Sequence, residues 1–241
     1  MMSTEPAVAH MTEIRIYAQA PPCTATATAR VRANLALHHL FAACRFSARV
    51  GQIESDNVGQ PLGSFWDEIL QNSLGVATLT VAALESYANE MYFEGAILKP
   101  GINPSAVEEL AEIVDKETIL RKFAIALSVS AGKRLDNGNA LTQNAAALIR
   151  LRNAVVHFRP EWFGERGKHE KLSKVLDHRF TPSIFFQNEA IFPRAWASHS
   201  FTVWALRTTV GFIDHFYSEL GYASPLEQFR SNISVLSSDA L

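Results

Sequence analysis

The stretch RLRNAVVHFRP, Arg150 to Pro160, sets arginines, an asparagine and a histidine into an otherwise apolar helical pattern. Imidazole gains and loses a proton near neutral pH, and guanidinium holds planar anions such as phosphate through paired hydrogen bonds. Together they suit chemistry in which a proton moves while negative charge builds on an oxyanion. At about 100° per residue, Arg150, Asn153 and His157 fall on one polar ridge, while Leu148, Leu151, Val155 and Phe158 make the core-facing stripe. Ile149 and Val156 flank the ridge, so that side is apolar enough to meet a second element or a second subunit. Arg152 lies about 140° round the helix from His157. A two-fold partner would bring the histidine of one chain to the arginine of the other.

Spacing alone is weak, because a second arginine-four-histidine match, RAWASH, runs from Arg194 to His199. Context separates the two. The first has Asn153 after its arginine, apolar spacers and an aromatic-plus-proline exit; the second sits where Pro193 starts a helix and contains Trp196. A further polar intrusion, ALESYANE, places Glu85 and Asn89 one helical turn apart, directly after an apolar run that ends at Leu84. A buried carboxylate is expensive without a cation, and Arg152 is the partner expected for Glu85. His38 and His39 are adjacent, so they point about 100° apart and do not easily share a metal. His169, His178, His199 and His215 have no partner spacing of their own and read as surface or core. No phosphate-cradling glycine loop, nucleophile elbow or metal-ligand cluster is visible. Cys23 and Cys44 form no CxxC and read as free thiols of a reducing compartment.

The elements that must position these residues are helical. Residues 1–26 are rich in Ala, Thr and Pro; EIRIYAQ reads as a short strand, PPCTATAT as a linker, and partial disorder is expected there. A first helix is predicted from Ala27 to about Val50, with Gly51 as its stop. Ser64 caps a long helix that KPGINPS breaks. Asn103-Pro104 opens a segment bent near Lys116 and ended by Gly132, and the motif helix covers Leu141 to Phe158. EWFGERGKHEKLSK reads as a polar loop, SIFFQNEAIF as a small hairpin or irregular extended piece, and Ala195 to Leu220 as the last helix, capped by Gly221. Residues 222–241 read as a C-terminal tail, with its ISVLSSDAL stretch from Ile233 expected to be mobile. The expectation is an all-α bundle: a single domain over 27–221 with a flexible N-terminal segment and a small extended or hairpin insertion before the last helix. The chain has 241 residues and a formal charge of −2, which gives no general pull toward nucleic acid, yet Arg150 to Arg179 holds eight Lys/Arg against four Asp/Glu. The N-terminus lacks the basic and apolar regions of a signal peptide, and Leu74 to Leu84 is too short to span a bilayer, so a cytoplasmic protein is expected.

ALESYANE on one long helix, followed some sixty residues later by LRNAVVHF on another, resembles the HEPN superfamily (higher eukaryotes and prokaryotes nucleotide-binding) over roughly Ser64 to Pro160. The resemblance implies a helical bundle in which Arg152 and His157 carry the motif, with Asn153 as its polar companion and Glu85, Asn89 and Arg150 in support. It implies a metal-independent endoribonuclease acting as a homodimer on RNA, tRNA and mRNA being the candidates. The setting would be toxin–antitoxin or anti-phage defence, with an antitoxin protein as partner and no cofactor. The extra N-terminal helix and the inserted Asn103 to Gly132 segment depart from a minimal unit. The residue types fit that chemistry. The 2′-hydroxyl attacks the adjacent phosphate, a histidine serves either proton step, and arginine stabilises charge on phosphorus, leaving a 2′,3′-cyclic phosphate and a 5′-hydroxyl. Trp162, Phe163 and Phe180 are candidates to stack on bases. The competing expectation is a non-catalytic helical module that binds a nucleotide or a protein partner.

Overall fold

A computed structural model describes residues 17–19, 26–28, 34–94, 103–162 and 167–233. It divides the chain into two units, residues 1–35 and 36–241. In the first, β1 (Tyr17–Gln19) pairs antiparallel with β2 (Thr26–Thr28), Ala18 opposite Ala27. The strand expected in EIRIYAQ is present, and the end of the expected linker is its partner. The first helix, expected from Ala27, begins at Ala36: Ala27 and Thr28 are paired in β2, and residues 29–33 lie outside the described residues.

The second unit is all-α. Its helices are α1 (Ala36–Asp56), α2 (Phe65–Glu94), α3 (Pro104–Asp115), α4 (Ile119–Ala131), α5 (Ala140–Val156), α6 (Lys168–Leu176) and α7 (His199–Leu220). α1 lies along α2, and α7 packs on α1, α2, α4 and α5, so α2 and α7 carry the core between them. α2 keeps Ala77, Ala83 and Ala88 fully buried beside Val76, Val81 and Leu84, and small side chains of this kind let neighbouring helices approach closely. α4 and α7 meet through Phe123, whose ring stands edge-on to Phe212 and Phe216 at 5.0 and 4.8 Å, an arrangement worth about 0.5–1.5 kcal/mol per pair beyond the buried area. Asn103 and Asn139 cap α3 and α5 by accepting the N–H groups of Ser105 and Leu141, and Gly132 and Gly221 close α4 and α7 in the left-handed region at φ 67° and 81°.

The structure departs from the expected element boundaries for identifiable reasons. α1 does not stop at Gly51 but runs through it to Asp56. A Cβ at Gly51 would stand 2.9 Å from the His199 ring, so this glycine permits α1 to touch α7 rather than ending a helix. The polar loop contains α6, a nine-residue helix that buries only Leu172 and Leu176 and is stitched outside by Lys174 donating to Glu170 at 2.8 Å. Of the two forms expected for Ser183–Phe192, a hairpin or an irregular extended piece, the irregular one is present: Ile184–Phe186 is one 3-10 turn, and Phe192 is extended before a cis bond to Pro193. α7 therefore begins later than Ala195, at His199, where Ser198 caps it by accepting the N–H of Phe201 at 3.1 Å. The C-terminal tail is packed where it is described: Leu226 and Ile233 are fully buried, and Asp214 accepts from Arg230 at 2.6 Å and from the Ser224 hydroxyl, while residues 234–241 of the stretch expected to be mobile lie outside the described residues. Among the described residues no helix is long and apolar enough to cross a membrane.

Candidate functional site

α5 is held by its N-terminal half. Ala145, Leu148 and Leu151 are buried against α2 and α7, and the polar ridge is left on the opposite side. The element that meets this ridge is α6 of the same chain. Arg150, Asn153, Ala154 and His157 form one wall of a cavity of about 470 Å³, α6 forms the other with Lys168, His169, Lys171, Leu172 and Val175, and Phe192, Arg159 and Glu161 complete it. Its chemistry is lopsided. Four cationic side chains and two imidazoles face a single carboxylate, over an apolar floor of Leu172, Val175 and Phe192.

His157 is the residue that follows α5, at its C-cap: φ −109° and ψ 42° turn the chain away, while its N–H still bonds to the Asn153 carbonyl at 3.0 Å. The imidazole is exposed at the mouth of the cavity. Because α5 ends at Val156, Phe158 leaves the core stripe on which it was expected. It is 49% exposed and stacks on His169 at 5.5 Å. Val155 is half-buried, and Ile149, expected beside the outward ridge, packs on the core instead.

His169 was expected to be surface or core, and the structure puts it in the cleft with His157. A carbonyl oxygen only accepts, so the His169 Nε2 at 2.9 Å from the Arg159 carbonyl carries the proton. Nδ1 then faces the Glu161 carboxylate at 3.9 Å, and Phe192 stands edge-on to the ring at 4.9 Å. His169 thus pins the two residues that follow His157. Glu161 in turn accepts the first N–H groups of α6, from Lys168 at 2.9 Å and His169 at 3.1 Å, and these bonds, the His169 one foremost, hold its carboxyl below the ordinary range. A Cβ on Gly167 would stand 2.3 Å from Glu161 Oε2, so only glycine lets the carboxylate close on the helix end. No spacing rule could have found His169: it reaches the cleft because the chain folds back over α5, and the available sign was the surplus of basic residues between Arg150 and Arg179.

Arg152 is not part of the cleft lining. It points toward α2, where its Nη2 lies 3.9 Å from Glu85 Oε2, a contact too long for a hydrogen bond, and its Nε is buried without a hydrogen-bond partner among the described residues. Glu85 is half-buried. Asn89 is drawn elsewhere: its Oδ1 accepts from the Nζ of the buried Lys122 at 2.8 Å, a pairing between α2 and α4 that the residue pattern did not suggest. Of the six residues picked out from the sequence, Arg150, Asn153 and His157 thus share the cleft, Arg152 and Glu85 face each other beside it, and Asn89 serves a different contact. Among the described residues no group of three or more His, Cys, Asp or Glu is placed to hold a metal. Trp162 is 82% exposed, Phe180 is buried against α7 and is packing, and Phe163 lies outside the described residues. Cys44 is buried and its thiol is pushed up to about 11, which leaves it inert at neutral pH.

Comparison of the chain with protein-family models, curated proteins and solved structures found no match.

Proposed function

We propose that this chain is a metal-independent endoribonuclease of HEPN type, a cytoplasmic homodimer serving toxin–antitoxin or anti-phage defence and restrained by an antitoxin protein. The observation that carries the reading is the convergence of His157, Asn153 and Arg150 on one cavity walled by further cations and sized for about one nucleotide. In this reading His157 removes the 2′-hydroxyl proton as the oxygen attacks phosphorus, or returns a proton to the departing 5′-oxygen. A second copy supplies the complementary histidine. The guanidinium groups take up the charge that builds on the phosphoryl oxygens. Arg152 fits a supporting part, because a buried, unmatched Nε and a stretched ion pair leave it capacity for a further anion.

A second reading, a non-catalytic module that binds a nucleotide or protein, draws on the same placement of Arg152: an arginine turned to Glu85 lies outside the cleft that His157 enters. Expression of the wild type beside His157→Ala and Arg152→Ala decides between them, with growth and RNA end groups as readouts. The nuclease reading expects arrested growth and 2′,3′-cyclic phosphate ends from the wild type alone. Equal growth and equally intact RNA in all three removes it.

A further inference from the structure

The cleft contains more positive charge than its own chain neutralises. Arg150, Arg159 and Lys171 make no side-chain hydrogen bond or ion pair with any described residue, although all three line one cavity, Arg150 on α5, Lys171 on α6 and Arg159 in the segment between them. Cations gathered on a shared concave surface repel one another, and such an arrangement persists when a ligand supplies the missing negative charge. The single acid in the lining is Glu161, and its side chain is only 19% exposed, folded in against Lys168 and His169.

We propose that the α5–α6 cleft is a phosphate-binding subsite within one chain, and that the Glu161 carboxylate is its resident counter-anion, competing with the phosphodiester of a bound nucleic-acid strand. Arg159 and Lys171 are the principal contacts to that phosphate. The α6 N–H groups stay with Glu161 and are not the ligand's donors. Removing the carboxylate charge therefore tightens binding, which is opposite to what loss of a substrate-contacting residue does. The inference rests on the nuclease reading of the cleft, but it concerns binding and not cleavage.

The test uses the full chain and a short fluorescent oligothymidylate at low salt, a probe that has phosphodiesters and no 2′-hydroxyl to be cleaved. Arg159→Ala and Lys171→Ala are each expected to weaken binding about 3- to 10-fold, and Glu161→Gln to strengthen it by a similar factor, as befits one charge close to the ligand. Lys174→Ala is the control: that lysine is on α6 but pairs with Glu170 outside the cleft, so its affinity stays within about 2-fold. Binding that falls as much for Lys174→Ala as for Lys171→Ala would mean diffuse surface attraction and overturn the subsite. Glu161→Gln with a wild-type melting curve and weakened or unchanged binding overturns the counter-anion role. If that variant loses α6, the Arg159, Lys171 and Lys174 comparison decides the subsite alone, and competition by inorganic phosphate on the wild type, present or absent, gives the second reading of it. Intact affinities with no cleavage of RNA would sink the nuclease and leave the subsite standing, and the converse result separates them the other way.

Discussion

Arg152–His157 and Arg194–His199 have the same two residue types at the same spacing and opposite fates. In the second pair the arginine is answered locally and the histidine is packed away. Arg194 donates to Glu189 at 3.0 Å and lies over the Phe186 ring at 4.8 Å; His199 begins α7 with its ring laid on Gly51. In the first pair Arg152 has a stretched partner and an unmatched buried Nε, and His157 stands in a cavity with Arg150, Arg159 and Lys171, which make no ion pair among the described residues. Polarity that is satisfied by its neighbours builds structure. Polarity left over is what a ligand can use, and the spacing of the residues does not distinguish the two cases.

The sharpest way to break this contrast is to truncate each histidine or its contact and ask which property is lost. On the proposed chemistry His157→Ala lowers RNA cleavage about 10²- to 10⁴-fold, read by end-group formation, while its urea midpoint moves little because the side chain is exposed. A large loss of stability instead would move His157 to the structural class. Gly51→Ala acts on the other region: with the His199 ring 2.9 Å from the new methyl, we expect about 1–3 kcal/mol of destabilisation in denaturant titration and cleavage that is normal at low temperature. Neutral stability there would show that the α1–α7 contact is looser than its geometry.

The smallest effect is the pH dependence at the same junction. Burial holds His199 below its ordinary value of 6.5, so the folded protein keeps it neutral while the unfolded chain takes up a proton as pH falls through 6.5. Its contribution to stability is complete above that value and falls on acidification. Burial raises the Glu54 carboxyl, whose nearest relief is the His199 backbone N–H, and a raised carboxyl works in the opposite sense, favouring the fold as acid protonates it. Glu54→Gln should therefore expose the His199 arm alone: a urea midpoint that declines from pH 6.5 downward more steeply than in the wild type. A midpoint flat over that range would remove the buried neutral histidine.

Where the residues reported local rules, the reading transferred to three dimensions. Asn103-Pro104, Gly132 and Gly221 mark helix ends because caps and left-handed closures are decided within a few residues, and Arg150, Asn153 and His157 share a face because one helix imposes it. What was missed depends on distant partners. Gly51 resembles a stop until His199 is laid against it, and α6 has only Leu172, Val175 and Leu176 at helical spacing inside a charged run, drawing further anchors from Glu161 before it and from Ser173, whose hydroxyl accepts the Phe192 N–H at 3.0 Å. His169 has no motif in the chain because its partners, Arg159 and Phe192, come from opposite sides in sequence.

His157 occupies the boundary residue of α5, where regular backbone gives way to a turn. The helix still sets its Cα, so the imidazole stays on the face of Arg150 and Asn153, while ψ of 42° turns the following chain back over that face toward α6. On the proposed chemistry, one residue is thus both the group that would move the proton and the corner that folds the pocket's second wall over it.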